Sequence, residues 1–525
     1  MNFISKNFLE KRFFVLFLIP FLLGIITIFG FSPYNLTFIN FFTFPAILFL
    51  ISVVKRKTQA KYRKKKNNVY FLLLGLSFGF GFFLFGNYWI SISLTHDEMF
   101  KNIIPFSFII VPLFLSIFFS FAILLSSYLV SKNIYFILFF SLIFSLFEFL
   151  RGNLLTGFPW NLLAYTWSWS TETIQVLSLI GTYSLSLISI TFFCSPFLLF
   201  QKKISKKNIF FPIFLVLVFI FNYFYGSYKL KNDNYIFNEN FIIKVVSPNF
   251  SLKDYKTKDE ISQLKRLIKI SEPEKNKKTI FIWPEGIFYE SYLQDLSRYK
   301  DLFIENFSKN HLIVLGATNF KKIDNNKYFN SLVILNNELE IQNIYNKIKL
   351  VPFGEFLPFE NFLSQLGLKK ITQGYNAFSS GKDRKVISLG KNFNNNLILP
   401  LVCYEIIYSG QVKKKNQFPD LIINISEDAW FGDSIGPHQH FTKVIYRAVE
   451  EGAFIARSAN KGISAFINPN GIIIKSLNTR ESGNIELDFP QFTKITLFSL
   501  YGNKIFFFIT FLYIFSILIL KKLKI

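Results

Sequence analysis

The chain has 525 residues, 51% of them hydrophobic, with 58 Lys and Arg against 33 Asp and Glu and a formal charge of +25. So apolar a composition excludes an ordinary soluble protein, and the length allows two or three folding units. Nucleic acid is excluded as a partner, because the densest basic runs flank apolar stretches and carry no aromatic stacking pattern.

Apolar runs near the ~20 residues that a bilayer requires recur along the first part of the chain. They read as spans at 13–30, 35–54, 69–91, 104–130, 134–150, 173–200 and 209–227, with an eighth at 504–520. The first is read as retained: it has no clear small-residue cleavage site and another span follows at once. Positive charge clusters at Lys6, Lys11 and Arg12, at Lys55–Lys66, at Lys202–Lys207 and at Lys521–Lys524. Eight crossings put all four clusters on one side, which is therefore expected to be cytoplasmic. The long polar segment 228–500 then lies on the other side. This orientation argument accounts for much of the net charge; the rest reads as solvated lysines of a Lys-rich composition or as attraction to anionic lipid. Only two cysteines occur, Cys194 in an apolar run and Cys403 in the polar segment, so no disulfide is expected.

Within 228–500, β-rich runs at Phe241–Val246, Thr279–Trp283, Leu312–Gly316, Ser331–Leu335, Leu397–Val402, Leu421–Ile425 and Ile463–Ile467 alternate with helical patterns at 257–270 and 439–456. Such alternation predicts one layered α/β domain. The stretch 366–384, with Gly367, Gly374, Ser379, Ser380 and Gly381, reads as a long mobile loop of the kind used as a lid.

Three stretches carry chemistry. Trp283-Pro284-Glu285 places a carboxylate just past a strand, Tyr345–Glu355 combines lysines with a second carboxylate, and Val402-Cys403-Tyr404-Glu405 places a thiol at a strand end. A thiol with a pKa near ~8.5 is a poor nucleophile until a base takes its proton. A lysine ammonium can hold that base and stabilise a developing oxyanion. Taken singly, each residue also reads as structural: a buried cysteine, a helix-capping glutamate, a solvated lysine.

The order Glu285, Lys347, Cys403 resembles the Glu-Lys-Cys pattern of the nitrilase, or carbon-nitrogen hydrolase, superfamily. The longer blocks resemble the apolipoprotein N-acyltransferases. They are Tyr345-Asn346-Lys347 with Leu350–Phe356, Asp428-Ala429-Trp430-Phe431-Gly432 with Ser434–Pro437, then Arg457, Asn460 and Gly462, and in the membrane part Phe31–Tyr34, Glu148–Gly152 and Thr156–Trp160. The resemblance implies a polytopic α-helical domain at 1–227 with seven spans, a nitrilase-like αββα sandwich at 228–500 outside the cytoplasm, and a last span at 501–525. It implies Glu285 as general base, Lys347 as oxyanion stabiliser and Cys403 as nucleophile, with Glu355 as supporting carboxylate. Tyr404 reads as a pocket wall or simple packing, Glu405 as pocket wall or structural ion pair. Trp430 belongs to a mobile loop near the lipid or is a buried aromatic. The implied activity moves a fatty acyl chain from a phospholipid, most plausibly phosphatidylethanolamine, through a cysteine thioester to the α-amino group of a diacylglyceryl-cysteine on an apolipoprotein. The implied place is the bacterial inner membrane, with no cofactor and no metal.

Two positions depart from the family pattern. A tryptophan usual after the first strand of the soluble domain is missing, leaving Tyr255 to replace it or its part unfilled, and Glu427 stands where asparagine is usual. His438 and His440 lack partners at metal-ligand spacing. Two other readings remain: a membrane-tethered amidase, which needs no eight-span scaffold, and a non-catalytic transporter or scaffold. Transporters place ion-coordinating groups at mid-membrane, whereas these spans hold almost no acid beyond Glu148.

Overall fold

The computed structural model describes residues 12–59, 67–96, 98–200, 204–232, 235–322, 326–358, 365, 377–491 and 494–523. Several residues of the basic clusters, and 366–376 of the expected lid, lie outside these. The chain forms two compact units: one of Met1–Ile92, Lys101–Lys231 and Tyr501–Ile525, the other of Ser93–Phe100 and Asn232–Leu500.

In the first unit, seven helices among the described residues are long and apolar enough to cross a membrane. They are Thr37–Thr58, Asn68–Asn87, Lys101–Leu129, Ile134–Asn153, Thr173–Leu199, Lys206–Asn232 and Lys504–Lys522. The first expected span is a shorter apolar helix, Phe14–Ile28. Small residues set how closely these helices approach. A side chain at Gly24 or Gly81 would collide with the backbone of the facing helix, and one at Gly79 would collide with Ser116. The acid in the spans is internally satisfied: Glu148 accepts from the Ser186 hydroxyl at 2.5 Å and from the Leu163 amide at 3.1 Å.

The second unit is two six-stranded sheets. The first holds β1 (Phe237–Ser247), β2 (Thr279–Ile282), β3 (His311–Lys321), β4 (Lys327–Leu335) and β5 (Ile341–Asn346), with β12 (Gly483–Pro490) outside β1. The second holds β6 (Ile387–Ser388), β7 (Leu397–Val402), β8 (Leu421–Glu427), β9 (Phe454–Asn460), β10 (Ser464–Ile467) and β11 (Ile473–Leu477) in that order. β1, β2 and β3 run parallel, as do β7, β8 and β9. Buried residues of both sheets, among them Val245, Ile282, Val314, Val402, Ile425 and Ala456, form one core, so the sheets pack face to face. Helix Glu260–Ser271, begun by the Asp259 cap, buries Leu264, Leu267 and Ile268 on the outer face of the first sheet. Helix Gly436–Glu451 packs outside the second, beside β9. The expected αββα sandwich is present.

The helix expected over 439–456 ends sooner. Gly452 adopts φ +64, the chain turns, and Phe454–Asn460 becomes the buried strand β9.

Candidate active site

Three strand ends deliver the expected residues. β2 runs into Trp283-Pro284-Glu285, β5 into Lys347 and β7 into Cys403. Gly316 on β3 lets the Glu285 backbone pass, since a Cβ there would lie 2.7 Å from the Glu285 Cα. Cys403 sits at φ +50, a left-handed conformation that costs an L residue about 1–2 kcal/mol.

Lys347, 1% exposed, is the hub. Its Nζ lies 3.0 Å from Glu355 Oε1 and 3.5 Å from Glu285 Oε1. The Asn330 side-chain amide donates to both carboxylates, at 2.6 Å each. The remaining oxygens are held by backbone: Val351 N donates to Glu355 Oε2 at 2.8 Å, and Glu427 N to Glu285 Oε2 at 3.0 Å. Phe353, at φ +63, closes the tight loop that presents Glu355. Burial works against the charge on Lys347, but Glu355 and Glu285 overcome it and hold the ammonium above its usual range. Burial and Glu285 push the Cys403 thiol up, against the pull of Lys347. The thiol thus lies in the electrostatic reach of both the Glu285 carboxylate and the Lys347 ammonium.

Glu405 is fully buried and ties the site together. It accepts from the Tyr345 hydroxyl at 2.9 and 3.1 Å, from the Ile348, Lys349 and Val402 amides, and from Arg384 at 2.7 Å. These bonds lock the turn bearing Lys347 to the strand bearing Cys403. Tyr404 packs edge-on against Tyr408 at 5.3 Å. Trp430 is partly exposed, its ring 5.7 Å from that of His96. Of the expected loop, the described end is pinned beside the site: Gly381 N donates to Lys347 O at 2.8 Å.

The two departures meet. The Tyr255 hydroxyl donates to Glu427 Oε2 at 3.2 Å, and Asn460 Nδ2 donates to both Glu427 oxygens at 2.9 Å. His440 faces Asp428 at 3.1 Å, and no group of three potential metal ligands occurs among the described residues. Sequence reasoning missed Asn330 and Arg384. Asn330 had one signal, a polar residue inside an apolar strand; Arg384 had none.

An αββα sandwich carrying Glu, Lys and Cys at adjoining strand ends, in a chain rich in membrane-length helices, defines a membrane-borne member of the carbon-nitrogen hydrolase class. The family model of the apolipoprotein N-acyltransferase N-terminal domain matches residues 23–195, and that of carbon-nitrogen hydrolase matches 279–491. The apolipoprotein N-acyltransferase of Brucella melitensis is 31% identical over 479 residues, 87% of this chain and 87% of that protein. That of Rickettsia prowazekii is 34% identical over 435 residues, 82% of this chain and 85% of its own length. The chain belongs to the apolipoprotein N-acyltransferase family, and it is a multi-pass membrane enzyme.

Proposed function

We propose that Cys403 attacks the acyl ester of a membrane phospholipid, phosphatidylethanolamine above all, to give a thioester and a lysophospholipid. The α-amino group of a diacylglyceryl-cysteine at the start of an apolipoprotein then takes the acyl chain. This is covalent catalysis in two half-reactions. Glu285 is the base that takes the thiol proton, Lys347 the cation that stabilises the oxyanion, and Glu355 the carboxylate that keeps Lys347 charged. Glu405 and Tyr404 shape the pocket, and Trp430 lies on its lipid side. The work is done outside the cytoplasm, from the bacterial inner membrane, because both substrates are lipid-anchored and the basic clusters face inward.

The observation that carries this reading is the shared lysine: Lys347 Nζ at 3.0 and 3.5 Å from two buried carboxylates, in electrostatic contact with the Cys403 sulfur. An amidase reading uses the same triad, but the apolipoprotein N-acyltransferase relatives extend across the helical domain as well. The test is intact-protein mass spectrometry after incubation with phospholipid. A hydroxylamine-sensitive gain of one acyl chain on the Cys403 peptide is expected, absent in Cys403→Ala and unaffected by Cys194→Ala. Full transfer by Cys403→Ala, or an adduct on Cys194, overturns the proposal.

A further inference from the structure

Behind Cys403 lies a closed polar cluster that the roles proposed above leave unused. β8 is the parallel neighbour of β7, with Val402 paired to Ile425. One position further on, Ser426 stands level with Cys403, where its hydroxyl favours the ionised sulfur. The same hydroxyl donates to Asp428 Oδ1 at 2.6 Å. Asp428 is fixed by two other groups: Arg457 donates to Oδ2 at 2.7 Å and His440 Nδ1 lies 3.1 Å from Oδ1. Arg457 is itself anchored on Asn424 Oδ1 and on the Ile463 carbonyl. Ser426, Asp428, His440 and Arg457 are all buried, and Gly462 leaves room for the Asp428 carboxylate, which any side chain at 462 would strike.

Ser426 has a single hydrogen and two acceptors to serve in turn. While sulfur carries its proton, the hydroxyl donates to Asp428 and turns a lone pair toward the thiol. Once Glu285 takes that proton, the sulfur becomes an anionic acceptor, and a rotation about Cβ–Oγ swings the hydrogen onto it. Asp428 then still has Arg457 and His440, so no buried carboxylate is left unpaired.

We propose that Ser426 is a catalytic hydrogen-bond switch, donating to Asp428 in the thiol state and to the Cys403 sulfur in the thiolate state. The thiolate state arises on attack and again when the amine expels the thioester sulfur. The proton itself does not pass through Ser426: it moves from sulfur to Glu285 and on to the departing lysophospholipid oxygen, and the sulfur is reprotonated at the end of the cycle by the proton that Glu285 takes from the incoming amine. The proposal rests on Cys403 being the acyl carrier. The charged groups facing the thiol are Glu285, Lys347 and Asp428, and those facing Asp428 are Arg457, His440 and the neighbouring Glu427, with Lys443 near the imidazole. Ser426→Ala leaves every one of them in place and removes only the donor.

The experiment follows alkylation of Cys403 by iodoacetamide against pH in the full-length enzyme in detergent, quantified on the Cys403 peptide. A hydrogen bond to a charged group is worth about tenfold in the ionisation equilibrium, so the Ser426→Ala curve should move upward by about one pH unit. Ser426→Thr, which keeps the hydroxyl, should restore it, with thermal midpoints alike in all three proteins. A Ser426→Ala curve that overlays the wild type overturns the proposal. So does a Thr variant of normal stability that fails to restore the curve. Should the Ala variant not fold, the infrared S–H stretch of Cys403 in a Cys194→Ala background decides: a free-thiol frequency refutes the switch. Alkylation needs no acyl donor, so an acyl adduct found elsewhere would remove Cys403 as carrier while leaving these curves readable.

Discussion

Among the described residues three donors hold the Glu355 carboxylate, which makes Glu355→Gln a demanding perturbation. Lys347 Nζ at 3.0 Å and Asn330 Nδ2 at 2.6 Å share Oε1, and Val351 N at 2.8 Å takes Oε2. An amide offers one oxygen. Its NH2 must then face either the lysine and asparagine or the backbone N–H, leaving donor against donor at a cost of ~1–3 kcal/mol. Lys347 also loses its nearer counter-ion and keeps only Glu285 at 3.5 Å. Breaking a buried pair costs ~3–5 kcal/mol, with the low end apt here because Glu285 still shares the lysine. The ammonium then settles on Glu285 and weakens it as a base. If ~3 kcal/mol falls on the transition state, acylation slows by about two orders of magnitude. The assay is single-turnover acylation: purified enzyme is mixed with phospholipid, quenched in acid and weighed intact, alongside lipid binding and a thermal midpoint. A Glu355→Gln enzyme that acylates within about threefold of wild type would refute the shared-lysine reasoning.

Lys347→Arg keeps the charge but puts a planar fork where a compact ammonium touches two carboxylates, so thioester formation should fall severely while membrane insertion stays normal; near-normal acylation would remove Lys347 from the site. Glu451 is buried beside Lys413 at 3.5 Å, and burial raises its carboxyl to about 7, with Lys413 opposing. Its folded value lies above its unfolded one, so its contribution is full below the unfolded pKa and fades as pH rises through about 7. The thermal midpoint should therefore drop between pH 5 and pH 8 by more in wild type than in Glu451→Gln; equal slopes would refute this assignment. A reporter active only outside the cytoplasm should work when fused near residue 300 and fail near residue 60, and the opposite pattern would invert the topology.

The spans were legible because a bilayer imposes length and composition, and those survive in a single sequence. So were the strands of the double core, such as Leu397–Val402, whose apolar runs have one place to go. β9 was not: the amphipathic pattern of Gly436–Glu451 runs on into buried Ala453–Ala456, and only the left-handed Gly452 separates helix from strand. β11 and β12 are edge strands with half-exposed residues, so their periodicity is weak. Glu285, Lys347 and Cys403 could be picked out as residues, but their meeting is tertiary. Glu405 shows the limit best. Beside the cysteine in sequence, it reads as pocket wall or ion pair, and its hold on Tyr345, 60 positions away, exists only in the fold.

Charge counting gives a reason for two carboxylates and one lysine in a lipid acyltransferase. With the thiol protonated, two carboxylates and one ammonium give Glu285, Glu355 and Lys347 a formal net charge of minus one. In the proposed cycle the thiol proton passes to Glu285 and then to the departing lysophospholipid oxygen, so the acyl-enzyme has the same charge as the resting enzyme. The incoming amine then gives a proton to Glu285, which returns it to the expelled sulfur. No stable state requires a second negative charge in a buried site, where desolvation would penalise it. In each tetrahedral intermediate the negative charge moves from Glu285 to the oxyanion, beside an ammonium that Glu355 keeps protonated. A thiolate whose proton had left the site altogether would break this balance, and burial and Glu285, by pushing the Cys403 thiol up, oppose that loss.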